Sequence, residues 1–93
     1  MSMDERIEEK LRASFAPTSL EVLNESHLHS GHHGSPGTGE SHYRVRIVAE
    51  VFRGRSRIEQ HRLVNAALAE ELAGGVHALA IKASAPADPE HAR

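Results

Sequence analysis

The sequence predicts an α+β fold of order αββααβ, a three-stranded mixed sheet with its helices on one face. Three short segments alternate apolar and polar residues, and the segments around them repeat apolar residues at helical spacing. Residues 53–75, between the second and third alternating segments, are long enough for a crossover connection. The first two strands then pair as a hairpin. The third lies parallel to the second through a right-handed crossover, and the helices cover one face.

Ser2 and Glu5 stand at capping-box spacing, with Met3, Ile7 and Leu11 following at i, i+4 and i+8, which predicts a helix over about residues 3–14. Pro17 closes it. Leu20 and Val22 alternate with Ser19, Glu21 and Leu23, a short strand. Residues 26–41 hold Gly31, Gly34, Pro36, Gly37 and Gly39 among Ser, Thr and His, and predict a long loop of the functional or mobile kind. The run SHYRVRIVAEVF sets Tyr43, Val45 and Ile47 against Arg44 and Arg46, a half-buried second strand that Gly54 breaks. Ser56 and Glu59 form a second capping box. Val64, Ala67, Leu68 and Leu72 share a stripe that runs back onto Gln60 and His61, with Ile58 out of phase. This predicts a short helix at about 56–61 and a longer one at about 62–73. Gly74 and Gly75 supply the stop. VHALAIKA is the third strand, with His77, Leu79 and Ile81 on one parity. The tail SAPADPEHAR, with Pro86 and Pro89, has no apolar period, so the domain is expected over 1–83 and a disordered tail over 84–93.

Composition narrows the function. With 93 residues, two Phe, one Tyr and no Trp, one small core must be built from Leu, Ile, Val and Ala. A formal charge of -2 gives no global field toward DNA or anionic lipid. No run approaches the ~20 apolar residues of a membrane span. The N-terminus is acidic and amphipathic, unlike a secretory signal or transit peptide, so a cytoplasmic protein is expected, a monomer or weak homodimer when alone. Without cysteine there is no thiolate nucleophile and no self-sufficient thiolate metal site. Asp4 and Asp88 are the only aspartates and lie near the termini, so no interior Ser-His-Asp set exists. Glu25, Glu40 and Glu50 are accompanied by no nucleophile elbow or phosphate loop. The chain reads as a non-enzyme.

The chemistry that remains is imidazole. His27, His29, His32 and His33, four of the eight histidines, fall in ESHLHSGHHG, and the topology brings His77 near His42 at the mouth of that loop. HxH and HH spacings alone are weak signals, equally expected of a solvated tract that picks up adventitious metal. His77 by its parity reads equally as a core histidine bonded to a backbone carbonyl. A second constellation is basic. Arg53, Arg55, Arg57 and Arg62 surround the short helix, and with Lys82 they offer phosphate contacts to DNA through a helix–turn–helix-like region over 53–73. Glu59, Glu70 and Glu71 dilute that charge, and no exposed aromatic offers base stacking.

LEVLNES, the His-bearing loop, GESHYRV and the block HRLVNAALAEELAGGVHALAIKA together resemble the BolA family over about residues 4–83. The resemblance implies a type II KH-like fold and an adaptor that pairs with monothiol glutaredoxins in iron–sulfur metabolism. Some members are transcription regulators. Counted from NES, the family's loop ligand falls on His29, and the VHALAI match implies His77 as the second, with His27, His32 and His33 as secondary candidates. Two imidazoles on one iron of a [2Fe–2S] cluster are chemically familiar. A glutaredoxin cysteine and the thiol of glutathione complete the shell in what the resemblance implies. Two departures stand out. Gln60-His61-Arg62 replaces the Arg-His-Arg of many relatives, and the loop carries more histidines. The GxxG of KH domains joins two adjacent helices, whereas Gly31-His32-His33-Gly34 sits in the hairpin loop.

Overall fold

The structure, a computed structural model, describes residues 2–25 and 42–87. The expected loop over 26–41, with His27, His29, His32 and His33, lies outside the described residues, as do 88–93.

Helix α1 spans Met3–Phe15 and starts where Ser2 and Glu5 cap each other reciprocally. The Glu5 N–H donates to Ser2 Oγ at 3.3 Å. Ile7 and Leu11 are fully buried, one turn apart on the stripe that the periodicity marks. The helix ends at Ala16, in the left-handed region at φ 45°, whose N–H returns to the Arg12 carbonyl at 3.1 Å.

Strands β1 (Ser19–Asn24) and β2 (His42–Val48) are antiparallel, with Leu20 opposite Ile47 and Val22 opposite Val45. β3 (Ala78–Ser84) runs parallel to β2, Tyr43 opposite Leu79 and Val45 opposite Ile81, so β2 is the central strand. The expected mixed sheet is thus formed, with helices on one face. Tyr43, Val45 and Ile47 point into a core shared with Ile7 and Leu11 from α1 and with Phe52, Val64 and Leu68. Arg44, Arg46 and Lys82 stand on the opposite, solvated face. Arg44 pairs there with Glu25 at 3.0 Å and Arg46 with Glu21 at 3.5 Å.

Two boundaries differ from expectation. The second strand was expected to run on to Phe52. It ends at Val48, and Glu50–Phe52 form a 3-10 turn. Continued alternation would have turned Val51 inward and Phe52 outward. The turn reverses this, burying Phe52 completely against Phe15, ring centres 5.2 Å apart, and leaving Val51 exposed. Burying the larger ring removes more apolar area from water, so packing overrides the alternation. The expected junction between residues 61 and 62 does not exist either. Helix α2 runs without a break over Arg57–Ala67 from the Ser56 capping box, and α3 covers Ala69–Ala73. The break falls at Leu68 (φ -106°, ψ 20°), whose side chain is buried. Gln60 is tolerated on the inner stripe because its Nε2 donates to the carbonyls of Phe52 (3.1 Å) and Arg55 (3.2 Å). Ile58, out of phase, is exposed.

Glu71 is the one buried charged residue among those described. Its Oε2 accepts from Arg6 Nη2 at 2.9 Å and from Lys10 Nζ at 3.0 Å, tying α1 to α3. Burial pushes its carboxyl pKa up, but the Lys10 hydrogen bond, its own backbone N–H and the two cations outweigh this, so the pKa lies below the ordinary carboxylate value. Among the described residues no helix is long and apolar enough to cross a membrane. Because the folded pKa of Glu71 is depressed, its contribution is complete above the unfolded carboxylate pKa and is lost as pH falls through the folded one. Glu71→Gln is therefore expected to cost on the order of 1–3 kcal/mol at neutral pH. In urea unfolding, its deficit against the parent should shrink once the pH falls below roughly 4.

Candidate functional site

The ends at which β2 and β3 begin lie side by side, because the parallel ladder opens with His42 opposite Ala78. His77 immediately precedes that ladder. Its ring centre is 5.3 Å from that of His42, the planes inclined at 58°. The convergence expected from the topology is therefore present.

The backbone holds both residues firmly. Two N–H groups, from Gly74 at 3.2 Å and Val76 at 3.0 Å, donate to the carbonyl of Glu71. Gly75 takes φ +142° between them, a conformation that residues with a Cβ rarely adopt. Val76 is then buried in the core while His77, one residue on, is exposed. His77 has the parity of Leu79 and Ile81, but the pleat governs facing only inside the ladder, which starts at Ala78. A core-facing role for His77 is thereby removed. On the other strand, Tyr43 anchors His42 by being buried, and the His42 carbonyl accepts from the Glu25 N–H at 2.8 Å.

The donors here are imidazole nitrogens. Among the described residues no group of three or more His, Cys, Asp or Glu side chains is arranged to hold a metal ion. The chain has no cysteine. This donor set does not fit a self-contained [2Fe–2S] cluster, which needs four ligands. It does fit a part-share in a cluster whose thiolates come from elsewhere, since His77 is exposed on a rigid element.

The basic residues are dispersed. Arg53 pairs with Glu50 and donates from Nη2 to the Pro86 carbonyl at 2.9 Å, holding the chain just after β3. Arg55 Nε donates to the Val51 carbonyl at 2.9 Å, closing the 3-10 turn. Arg57 and Arg62 are exposed on α2. Glu59 stands among them, its pKa lowered by the Ser56 backbone and hydroxyl donors and, more weakly, by Arg55 and Arg62. Lys82 belongs to the open sheet face, in a shallow groove with Ser19, Glu21, Arg46 and Ser84. No single surface gathers all five cations.

Glu71 emerges as a positioning residue that the sequence did not single out. Its carboxylate ties down α3 and its carbonyl shapes the turn that delivers His77. The available signal was its place between Leu68 and Leu72 on the inner stripe.

A profile described as BolA, BolA-like protein, matches residues 11–88. The chain belongs to the BolA family. Human BolA-like protein 1 is 51% identical over 81 residues, covering 87% of this chain, which spans 56% of the human protein. The DNA-binding transcriptional regulator BolA of Escherichia coli is 47% identical over 81 residues, 87% of this chain and 73% of its own length. Among solved structures, the BolA domain of SufE1 from Arabidopsis thaliana superposes with a TM-score of 0.83 at 42% identity, covering 92% of this chain and 94% of that one. A BolA domain inside a SufE protein links the family to iron–sulfur cluster metabolism.

The turn before His77 yields a test in this BolA-family chain. A Cβ at Gly75 would meet no heavy atom within 4 Å, so Gly75→Ala meets conformational strain alone. It is expected to cost about 1–3 kcal/mol. The fold should persist, and the imidazole NMR signals of His77 and His42 should shift more than those of His61.

Proposed function

We propose that this protein is an adaptor in iron–sulfur metabolism that binds a monothiol glutaredoxin and supplies imidazole ligands to a [2Fe–2S] cluster shared with it. The observation that carries the proposal is the exposed His77, fixed at the start of β3 beside His42 in a chain without thiolates. Family membership and the SufE-borne relative support it. The cluster's thiolates come from the glutaredoxin cysteine and glutathione. This chain contributes His77 from just before β3 and His29 from the hairpin connection, with His27, His32 and His33 close in sequence as substitutes. Imidazole ligands in place of thiolates remove negative charge from the cluster and raise its reduction potential. The protein's part is to hold one donor rigidly, which lowers the ordering cost on docking.

Mixing with glutaredoxin, glutathione, iron and sulfide is expected to give a coloured heterodimer whose spectrum differs from that of the glutaredoxin homodimer. An unchanged spectrum with no complex on a sizing column refutes the adaptor. His77→Ala should abolish the distinctive spectrum, whereas His29→Ala should weaken it less, since neighbouring histidines can replace it. Equal and complete loss in both variants would make His29 obligatory.

A second function, DNA binding through 53–73 in a KH-like scaffold, is favoured by the exposed Arg57 and Arg62 and by the name of the Escherichia coli relative. Arg55→Ala combined with Arg57→Ala separates the two. For the adaptor, cluster binding stays intact. For DNA, binding weakens across sequences, and the salt dependence flattens by roughly one unit of slope for each phosphate no longer neutralised.

A further inference from the structure

We infer that His42 and His77 form a chelating pair for a borderline divalent transition-metal ion, zinc or nickel, that operates in the free protein without a partner, thiolate or sulfide. The inference stands on the ring geometry and does not rest on the adaptor role. In a tetrahedral site zinc–nitrogen bonds are about 2.0–2.1 Å, which places the centres of two imidazoles on one ion roughly 5 Å apart. The observed separation is 5.3 Å, with the planes inclined at 58° rather than stacked. Each neutral imidazole offers one ring nitrogen with a lone pair, so the pair supplies two donors, and water fills the remaining positions.

Three further features favour chelation. His42 opens β2 and His77 immediately precedes β3, its neighbour in a parallel ladder, so the backbones do not need to move to bring the rings together. Both histidines adjoin a buried side chain, Tyr43 or Val76, which fixes the local chain. Preorganised donors lose little entropy on binding. Arg44, two residues from His42 on the same strand, is held by the Glu25 carboxylate at 3.0 Å, and Glu25 itself joins the His42 backbone, so the charge of that cation is offset beside the pair. Imidazole donors with open water positions suit zinc, nickel and copper(II), whereas magnesium and calcium prefer oxygen ligands. An ion held here occupies His77. Partner-free metal and any other ligation by His77 therefore exclude each other, which makes the pair a point of competition between divalent metals and whatever else His77 serves.

The test is calorimetric titration of the isolated full chain with zinc chloride, with proton NMR following the imidazole resonances. Four variants are compared with the parent: His42→Ala, His42→Asn, His77→Ala, and a quadruple loop variant with His27, His29, His32 and His33 all changed to Asn. Circular dichroism checks that each is folded, and His42→Asn serves if the alanine variant is not. In the quadruple variant one zinc per chain should still bind, and the shifted resonances should be those of His42 and His77 while His61 stays put. Changing either member of the pair in that background should weaken zinc by more than about tenfold, the loss that even an outer-shell change typically brings. Zinc binding unaffected by His42→Asn would overturn the inference and leave the rings as a tilted aromatic pair. Zinc binding abolished in the quadruple variant would overturn it in favour of the hairpin histidines. None of these readings uses glutaredoxin, iron or sulfide, so their failure is distinct from failure of the adaptor.

Discussion

The parallel pairing of β2 with β3 is the constraint on which the rest depends. It places the central strand's Tyr43, Val45 and Ile47 where only helices can cover them, and it requires a connection that returns over that same face. It also brings together the beginnings of two strands that are far apart in the chain. In antiparallel strands the start of one lies by the end of the other, and His42 and His77 would be separated by the strands' length. The site is a by-product of strand direction.

The helical layer makes that pairing possible at small size. Ile7 and Leu11 from α1 and Val64 and Leu68 from the α2–α3 segment complete the core, with Phe52 filling the space where the sheet ends. Arg6, Lys10 and Glu71 join the two helical parts through the single buried carboxylate among the described residues. A buried ion pair is weak evidence for stability by itself, because desolvation offsets much of the attraction. Its value here is positional, since the same residue's carbonyl receives the N–H groups of Gly74 and Val76 and so fixes the exit into β3.

Much of this was legible in the sequence, for identifiable reasons. Both capping boxes were found because Ser-x-x-Glu is a local signal that the environment does not alter. Strand order and direction followed from the length of the connection. The approach of His77 to His42 followed from strand direction alone. What was missed depended on packing. The end of β2 was hidden because Ala49, Val51 and Phe52 all suit a strand, and only the pocket beside Phe15 selects Phe52 as the inward residue. The break at Leu68 was hidden because Leu is a good helix former, and the kink is set by the core below it. Gln60 looked like an interruption because its two carbonyl acceptors lie in a turn that no periodicity reports. Glu71 looked like solvated charge beside Glu70, and its partners lie on α1, 65 residues away in the case of Arg6.

The hairpin itself is closed by its strands. Asn24 lies opposite Tyr43, and the Glu25 N–H reaches the His42 carbonyl, so both ends of the connection are already fixed at the sheet. Closing a connection between two such fixed ends costs an entropy that rises only with the logarithm of its length, about 0.6 kcal/mol for each doubling. In closure entropy alone, lengthening such a connection is therefore cheap. The length of the histidine-bearing segment is thus set apart, in closure entropy, from the ladder that fixes its two ends.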